Sequence, residues 1–578
     1  MKTTIPVENT AQAYLELLCD RGIKYFFGNA GTDFAPLVDA FARFAAEGKL
    51  RPKPILVPHE FVAVSMAHGY YLITGEPQAV MVHVTVGTAN AIGAIINAAR
   101  SRIPILFTAG RTPITEEGYR GARNIYIHWA QEAFDQGGLV REFVKWDYEL
   151  RNFTQLETVV DRALEVAMTE PRGPVYLTLP REVLAEEHTE VTFTSPSRHV
   201  GAVGRSPLLY PDPARIKEVA QALVKAKKPL ILTDALGRNP AAVGTLIELA
   251  ESLAIPVIEV NPTHMNFPTD HPLHQGFTVT PPSTYLQEAD VILVIEADVP
   301  WYPSVCKPGE RAKIIHLGVD PIYTRYPIRG YPADLVLIAD PQIALLALIQ
   351  ELSKYRTRMK STLQKRYEKL REEHDRQRQS WKREALEVKD DKPIDYRWLS
   401  YCINQAKGEE AIVVNEYDLL PTQAQYRHPG TYFATPHSGC LGWGLGAALG
   451  VKLAAPDKTV IATLGDGSYM FGIPTAAHFV SQAQNLPILV VIFNNQCWGA
   501  VRWSTADLYP EGWAARTNNF PLSNLEPSPA YEKIVQAHDG YGERVENPEE
   551  VLPALQRALK IVKEEKRQAV LNVLCKHP

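Results

Sequence analysis

The chain has 578 residues, enough for about three or four domains at roughly 100–200 residues each. Its 46% hydrophobic and 22% charged residues can build large cores, which excludes a disordered scaffold. Sixty Lys+Arg against 65 Asp+Glu leave a net charge of −5, so nucleic acid and anionic membrane surfaces are poor candidates as partners. Met1–Pro6 has no apolar run behind Lys2, and no stretch reaches about 18 uninterrupted apolar residues, so neither a signal peptide nor a membrane span is expected. The six cysteines are scattered without a CxxC pair, which reads as reduced thiols in a soluble, cytoplasmic protein.

In chain order, a first α/β unit is expected over residues 1–190. Helical spacing over Ala11–Arg21 leads into a strand Tyr25-Phe26-Phe27, stopped by Gly28-Asn29-Ala30-Gly31. Further strands are expected at Ala79–Val86, Ile105–Thr108 and Val175–Leu179, with helices over Phe61–Tyr71 and Ala89–Arg100. The polar stretch Glu187–Asp212 reads as a linker. A second unit over 205–350 repeats the alternation with strands Leu230–Leu232, Pro256–Val260, Val291–Ile295 and Lys313–Leu317. Residues 353–392, dense in Lys, Arg and Glu, read as a solvated helical linker. A third unit over 395–578 has strands Ala411–Asn415, Thr459–Leu464, Ile488–Phe493 and Val570–Leu574. Strands apolar on both faces and alternating with helices predict three doubly wound α/β domains on parallel sheets.

The motif that carries chemistry lies in the third unit. A strand ends in Gly465-Asp466-Gly467-Ser468, and 26 residues separate Gly467 from Asn494-Asn495, which follow another buried strand. Glycines let the backbone approach a phosphate closely, and a following helix N-terminus offers unpaired N–H groups. Asp466 supplies an anionic oxygen and Asn495 a neutral one, a donor set suited to Mg²⁺ held together with phosphate oxygens. Carboxyl ends of strands are where open α/β sheets bind ligands.

With that pairing, the chain resembles, over essentially its whole length, the thiamine diphosphate (ThDP) enzymes of the pyruvate decarboxylase, acetolactate synthase and benzoylformate decarboxylase superfamily. The resemblance implies a pyrimidine-binding, a middle and a diphosphate-binding domain. It implies that Asp466, Asn495 and the main-chain carbonyl of Cys497 hold Mg²⁺, and that Gly465, Gly467 and Ser468 lie against the diphosphate. Pro58-His59-Glu60 looks like the segment bearing the catalytic glutamate, which would make Glu60 the partner of the aminopyrimidine; alone, Glu60 would read as an acid at a helix N-terminus. In Ser438-Gly439-Cys440-Leu441-Gly442, the resemblance implies that Gly439 permits close approach and that Leu441 wedges the cofactor's two rings; alone, Leu441 would read as a core leucine.

Within the superfamily, local matches favour the benzoylformate decarboxylase branch. Val82-His83-Val84-Thr85-Val86-Gly87-Thr88 resembles its segment with an active-site histidine, and Phe27–Thr32 its segment with an active-site serine, with Thr32 in that place. Trp498–Trp503 also resembles that branch. A histidine titrating near neutrality can move protons in either direction, although His83 in an apolar strand would otherwise read as a core residue. Three departures stand against this: Ala30 replaces the proline of Asn-Pro-Gly, Asn415-Glu416-Tyr417-Asp418 has acids in place of a Ser/Thr cluster, and His128–Gln136 is closer to acetolactate synthase, making Gln131 a candidate near the cofactor. Pro268–Phe277 matches both branches, and its His271 does not choose between them. FAD is the further cofactor a middle domain of this kind can hold; without GxGxxG after Thr233, it is not favoured.

The resemblance therefore implies a lyase that decarboxylates a 2-oxo acid, using ThDP and Mg²⁺, with carboligation onto an aldehyde as a further activity. An acetolactate-synthase-like carboligase is the alternative, and a non-catalytic ThDP-binding protein the alternative of another class. Family members place their active sites between subunits, which implies a homodimer or homotetramer.

Overall fold

A computed structural model describes residues 2–49, 51–195, 208–358 and 360–576. Three parallel sheets carry the architecture. The first runs, in spatial order, Lys53–Leu56, Tyr25–Gly28, Ala79–Val82, Leu106–Arg111, Val175–Pro180 and Asp147–Glu149. The third runs Tyr432–Ala434, Ile412–Glu416, Val460–Gly465, Leu489–Asn494, Ala569–Leu574 and Tyr541–Val545. With strands numbered along the chain within each sheet, both have the order 2-1-3-4-6-5. The middle sheet, Val257–Glu259, Pro229–Thr233, Val291–Ile295, Lys313–Gly318 and Leu335–Ile338, is a simpler 2-1-3-4-5.

In each terminal sheet the order reverses between strands 1 and 3, and such a switch point opens a crevice at the strands' carboxyl ends. Asn29 and His83 follow those two strands in the first sheet; Tyr417 and Asp466 follow them in the third. The topology alone thus brings the candidate residues of each terminal domain to one edge.

The helices Glu60–Thr74 and Trp443–Ala454 join the two terminal domains. Both are apolar around most of their circumference, as helices enclosed on all sides are. They cross so closely that a Cβ on Gly69 would collide with the Ala447 carbonyl, so only glycine fits there. Phe27, Val62, Met66, Trp443, Leu449 and Val460 consequently belong to one continuous apolar core spanning both domains. The first helix starts behind His59, whose Nδ1 accepts the Phe61 N–H at 3.2 Å, and stops at Gly75 in the left-handed region with φ 67°.

Three expectations need correction. The apolar run Ala79–Val86 is a strand only to Val82: helix Val84–Arg100 begins immediately after His83, so His83 caps a helix and does not lie within a strand. The expected linker includes strand Glu190–Thr194, which pairs antiparallel with Lys2–Pro6; its alternating burial shows why a Thr-containing segment is ordered. The linker's residues 196–207 lie outside the described residues. The middle sheet gains Leu335–Ile338, unread in the sequence, while the charged stretch forms the 28-residue helix Lys360–Glu387. Among the described residues no helix is long and apolar enough to cross a membrane.

Candidate active site

At the edge of the first sheet, Glu60 is the first residue of its helix and is 5% exposed. Its two carboxylate oxygens are held separately: Asn29 Nδ2 donates to Oε1 at 2.9 Å and Asn90 Nδ2 to Oε2 at 3.2 Å. Two carboxamide donors fix the carboxylate plane without removing its capacity to accept a proton. Asn29 comes from the turn after the first strand and Asn90 from helix Val84–Arg100, so three elements converge on one group.

His83 stands beside this pair. Its Nδ1 lies 2.5 Å from Asp33 Oδ1, and the Val84 N–H reaches Asp33 Oδ2 at 3.4 Å. Burial works to lower the imidazole's pKa, but the Asp33 hydrogen bond and charge outweigh it, and the ring is held above the ordinary histidine value. Thr32 turns its hydroxyl to His128 Nε2 at 3.3 Å, and His128 Nδ1 accepts the Asn124 N–H at 3.3 Å. That second bond leaves Nε2–H as the donor to Thr32. Gln131 neighbours His83, and its main-chain oxygen accepts the Thr85 hydroxyl at 3.0 Å. The sequence-derived candidates Thr32, Glu60, His83 and Gln131 therefore share one edge. Asp33, Asn29, Asn90 and His128 join them without having been singled out; their signal is three-dimensional.

In the third domain Asp466 opens a short helix directly after its strand and is 1% exposed. Burial pushes its pKa up to about 6, partly offset by backbone N–H groups of Gly467, Gln496 and Asp466 itself. Its Oδ2 is buried with no hydrogen-bond partner. An orphaned buried carboxylate oxygen is costly unless something binds it, and a cation is the natural partner. Asn495 is prepared in the same way: its Nδ2 donates to Tyr396 Oη at 2.8 Å and its Oδ1 accepts the Cys497 N–H at 2.9 Å, which fixes the amide with an oxygen lone pair to spare. Asp466, Asn495 and the Cys497 carbonyl thus fit a Mg²⁺ ion, and the donor set is of the hard oxygen type it takes.

Next to them, the fully buried Glu416 accepts the N–H groups of Gly442 and Gly444, each at 2.6 Å, and the Ser468 hydroxyl also turns to it. Burial raises Glu416 to about 7, against the pull of those donors. Asn97 ties down the same segment from the first domain: Ser438 Oγ donates to its Oδ1 at 2.6 Å, and its Nδ2 donates to the Cys440 carbonyl at 2.9 Å. Half-buried Leu441 is therefore held between two anchored residues, and Gly439, at φ 68°, sits under the Tyr417 hydroxyl. Among the described residues no hydrogen bond or ion pair joins Glu60 to Asp466 or Asn495, although Asn97 links the first domain to the Ser438–Cys440 segment.

A sheet-edge carboxylate clamped by amides, a buried aspartate oxygen without a partner beside an asparagine, and glycines before a helix all stand at the carboxyl ends of parallel strands, where open α/β sheets bind their ligands. Three family models match the chain: "Thiamine pyrophosphate enzyme, N-terminal TPP binding domain" over residues 8–139, the central domain over 216–348, and the C-terminal TPP binding domain over 419–573. The chain belongs to the thiamine pyrophosphate enzymes. It is 29% identical over 505 residues to the benzoylformate decarboxylase of Pseudomonas aeruginosa, covering 85% of this chain and 87% of that one. It is 24% identical over 564 residues to the large subunit of acetolactate synthase isozyme 3 of Escherichia coli, covering 96% and 92%. Among solved structures, the ThDP-dependent 4-hydroxybenzoylformate decarboxylase of Rhodococcus jostii RHA1 superposes with a TM-score of 0.76 at 24% identity over 99% of both chains, which shows the shared fold.

Proposed function

We infer that the protein is a ThDP- and Mg²⁺-dependent lyase that decarboxylates a 2-oxo acid to an aldehyde and CO₂. The observation that carries this reading is the convergence of Glu60, clamped by Asn29 and Asn90, and His83, clamped by Asp33, on one sheet edge. Bound ThDP supplies a carbon nucleophile and an electron sink for the electrons released as CO₂ leaves. Glu60 holds or yields a proton at the cofactor's aminopyrimidine, since its oxygens are oriented yet unblocked. His83 moves the proton that replaces the lost carboxylate carbon. Asp466, Asn495 and the Cys497 carbonyl hold the ion that binds the diphosphate, with Gly465, Gly467 and Ser468 beside it. Leu441, held between Cys440 and Gly442, would separate the cofactor's two rings.

In this reading the Glu60 and Asp466 clusters are two half-sites, and a second copy of the chain supplies the one that each needs to be complete. Supporting this, large apolar side chains stand exposed on segments next to both half-sites: Tyr126 and Phe134 near Gln131, and Trp503, Trp513 and Leu522 after the Asn494-Asn495 pair. A homodimer or homotetramer would cover them.

The acetolactate-synthase-like alternative, in which a second carbonyl compound captures the decarboxylated carbon, rests on the position of Gln131 beside His83. His83→Ala separates the two. If His83 delivers the proton, its loss is expected to cost roughly 10²–10⁴-fold in aldehyde release, the usual size of a general acid–base contribution. Cofactor activation, which belongs to Glu60, stays unchanged. Aldehyde release within a few-fold of wild type would make His83 a packing residue and favour carboligation. A non-catalytic ThDP-binding protein is disfavoured because binding alone has no use for a proton-sharing carboxylate clamped at the sheet edge.

A further inference from the structure

We propose that Asp33 is a positioning residue for His83: its carboxylate fixes the orientation and tautomer of the imidazole and leaves Nε2 as the nitrogen that exchanges protons. The proposal deepens the reading of His83 as a proton-transfer group and rests on it.

The geometry is two-armed. Asp33 Oδ1 takes the ring through Nδ1 at 2.5 Å, while Oδ2 takes the N–H of Val84, the next residue along the chain, at 3.4 Å. One carboxylate thus holds both the side chain and the backbone that carries it. That backbone is unusual: Val84 is β-branched yet has φ 33°, a region such residues rarely occupy. Strain of this kind persists only where its surroundings impose it, and it concentrates at functional sites. Here it turns strand Ala79–Val82 directly into helix Val84–Arg100 and aims the intervening His83 at the sheet edge.

The surroundings are shaped to the pair. A Cβ on Gly31 would collide with the His83 ring, and a Cβ on Gly110 would collide with Asp33 Oδ2, so both glycines are needed for the pair to sit where it does. The two side chains differ in access: Asp33 is 2% exposed and His83 is 17% exposed. The carboxylate is sealed in while the ring keeps one open side. A merely structural ion pair has no need of that asymmetry, whereas an imidazole oriented through Nδ1, with the neutral Gln131 side chain as its other hydrogen-bonding neighbour and part of the ring still accessible, is the arrangement of a proton-transfer histidine with its orienting acid.

The other ionisable groups around the pair are few. Glu60 faces the ring from helix Glu60–Thr74 and adds to the Asp33 field; His128 faces it from the short helix Ile127–Ala130 and opposes it. Arg181, on the helix Arg181–Leu184, interacts with Asp33. Asp33 makes the largest favourable contribution to the charged ring.

The test is the pH dependence of His83 modification by diethyl pyrocarbonate in the full-length protein, with the modified peptide followed by mass spectrometry, beside the pH profile of kcat/KM. In the wild type, His83 is expected to titrate above the ordinary value of about 6.5. Asp33→Asn, which keeps the shape but not the charge, is expected to lower that titration by about one unit or more and to move the matching limb of the rate profile with it. Turnover should fall roughly tenfold or more, with ThDP affinity unchanged. A wild-type His83 that titrates at or below about 6.5 overturns the proposal, whether or not the variant folds. So does a folded Asp33→Asn whose His83 titration matches wild type. Failure of the underlying reading looks different: His83→Ala would then keep its turnover even if Asp33→Asn moved the titration as expected.

Discussion

Asp466→Ala is expected to abolish Mg²⁺-dependent ThDP binding while the protein stays folded. Asp466 is the one anionic group among the three proposed metal donors, and its Oδ2 is buried without a partner, so alanine removes the charge that would draw a cation there. The sign of the stability effect follows from its pKa. Burial raises the carboxyl to about 6 from an unfolded value of about 3.9, so the native state binds its proton more tightly than the unfolded chain does. Above about pH 6 the ionised carboxylate, whose Oδ2 has no partner, therefore weakens the apoprotein, and alanine removes that cost. The variant should melt no lower than the wild-type apoprotein at neutral pH, yet give no calorimetric heat with Mg²⁺ and ThDP. Unchanged cofactor affinity in Asp466→Ala would refute the metal assignment.

Glu60→Gln should separate binding from catalysis. Glutamine keeps the side chain's length and can still hydrogen-bond a ring nitrogen, but it cannot share a proton with one. The two carboxamides that hold Glu60 would meet a third amide at close quarters, and only one of its two terminal atoms can accept from Asn29 or Asn90. ThDP is expected to remain bound while turnover falls by at least about 10²-fold. Hydrogen–deuterium exchange at C2 of the bound cofactor, read by NMR after acid quench, should slow in step. Exchange at the wild-type rate would show that Glu60 plays no part in activating the cofactor.

Much of the fold was legible because buried parallel strands announce themselves. Val291–Ile295 and Leu489–Phe493 are uninterrupted apolar runs next to turn or polar residues, and the Asn494-Asn495 pair directly follows the second of them. The sequence could not show where Ala79–Val86 changes from strand to helix. Val82-His83-Val84-Thr85-Val86 contains neither proline nor glycine, and its β-branched residues suit a strand. The break falls where Val84 takes φ 33° and its N–H meets Asp33, a residue distant in sequence. Local propensity yields there to a tertiary contact.

The same reasoning explains the missed site residues. Asn90 and Asn97 lie on one helix and look like its polar face, yet one turns to Glu60 and the other to the Ser438–Cys440 segment. Nothing in their spacing distinguishes those destinations. Edge strands were lost for a different reason. Tyr541–Val545 carries Gly, Glu and Arg and is only partly buried, so it lacks the apolar signature of its neighbours, and it is ordered by pairing with Ala569–Leu574.

The most direct test of the proposed reaction is product analysis with the protein stripped of cofactor and reconstituted with ThDP and Mg²⁺. Aromatic and aliphatic 2-oxo acids would be supplied singly, and CO₂, aldehyde and acyloin measured together. The proposed decarboxylation requires that at least one 2-oxo acid yield CO₂ and the matching aldehyde in equal amounts, and that omitting either ThDP or Mg²⁺ stop the reaction. Release of CO₂ with acyloin or acetohydroxy acid in place of aldehyde, or no release from any 2-oxo acid although calorimetry shows the cofactor bound, would contradict it.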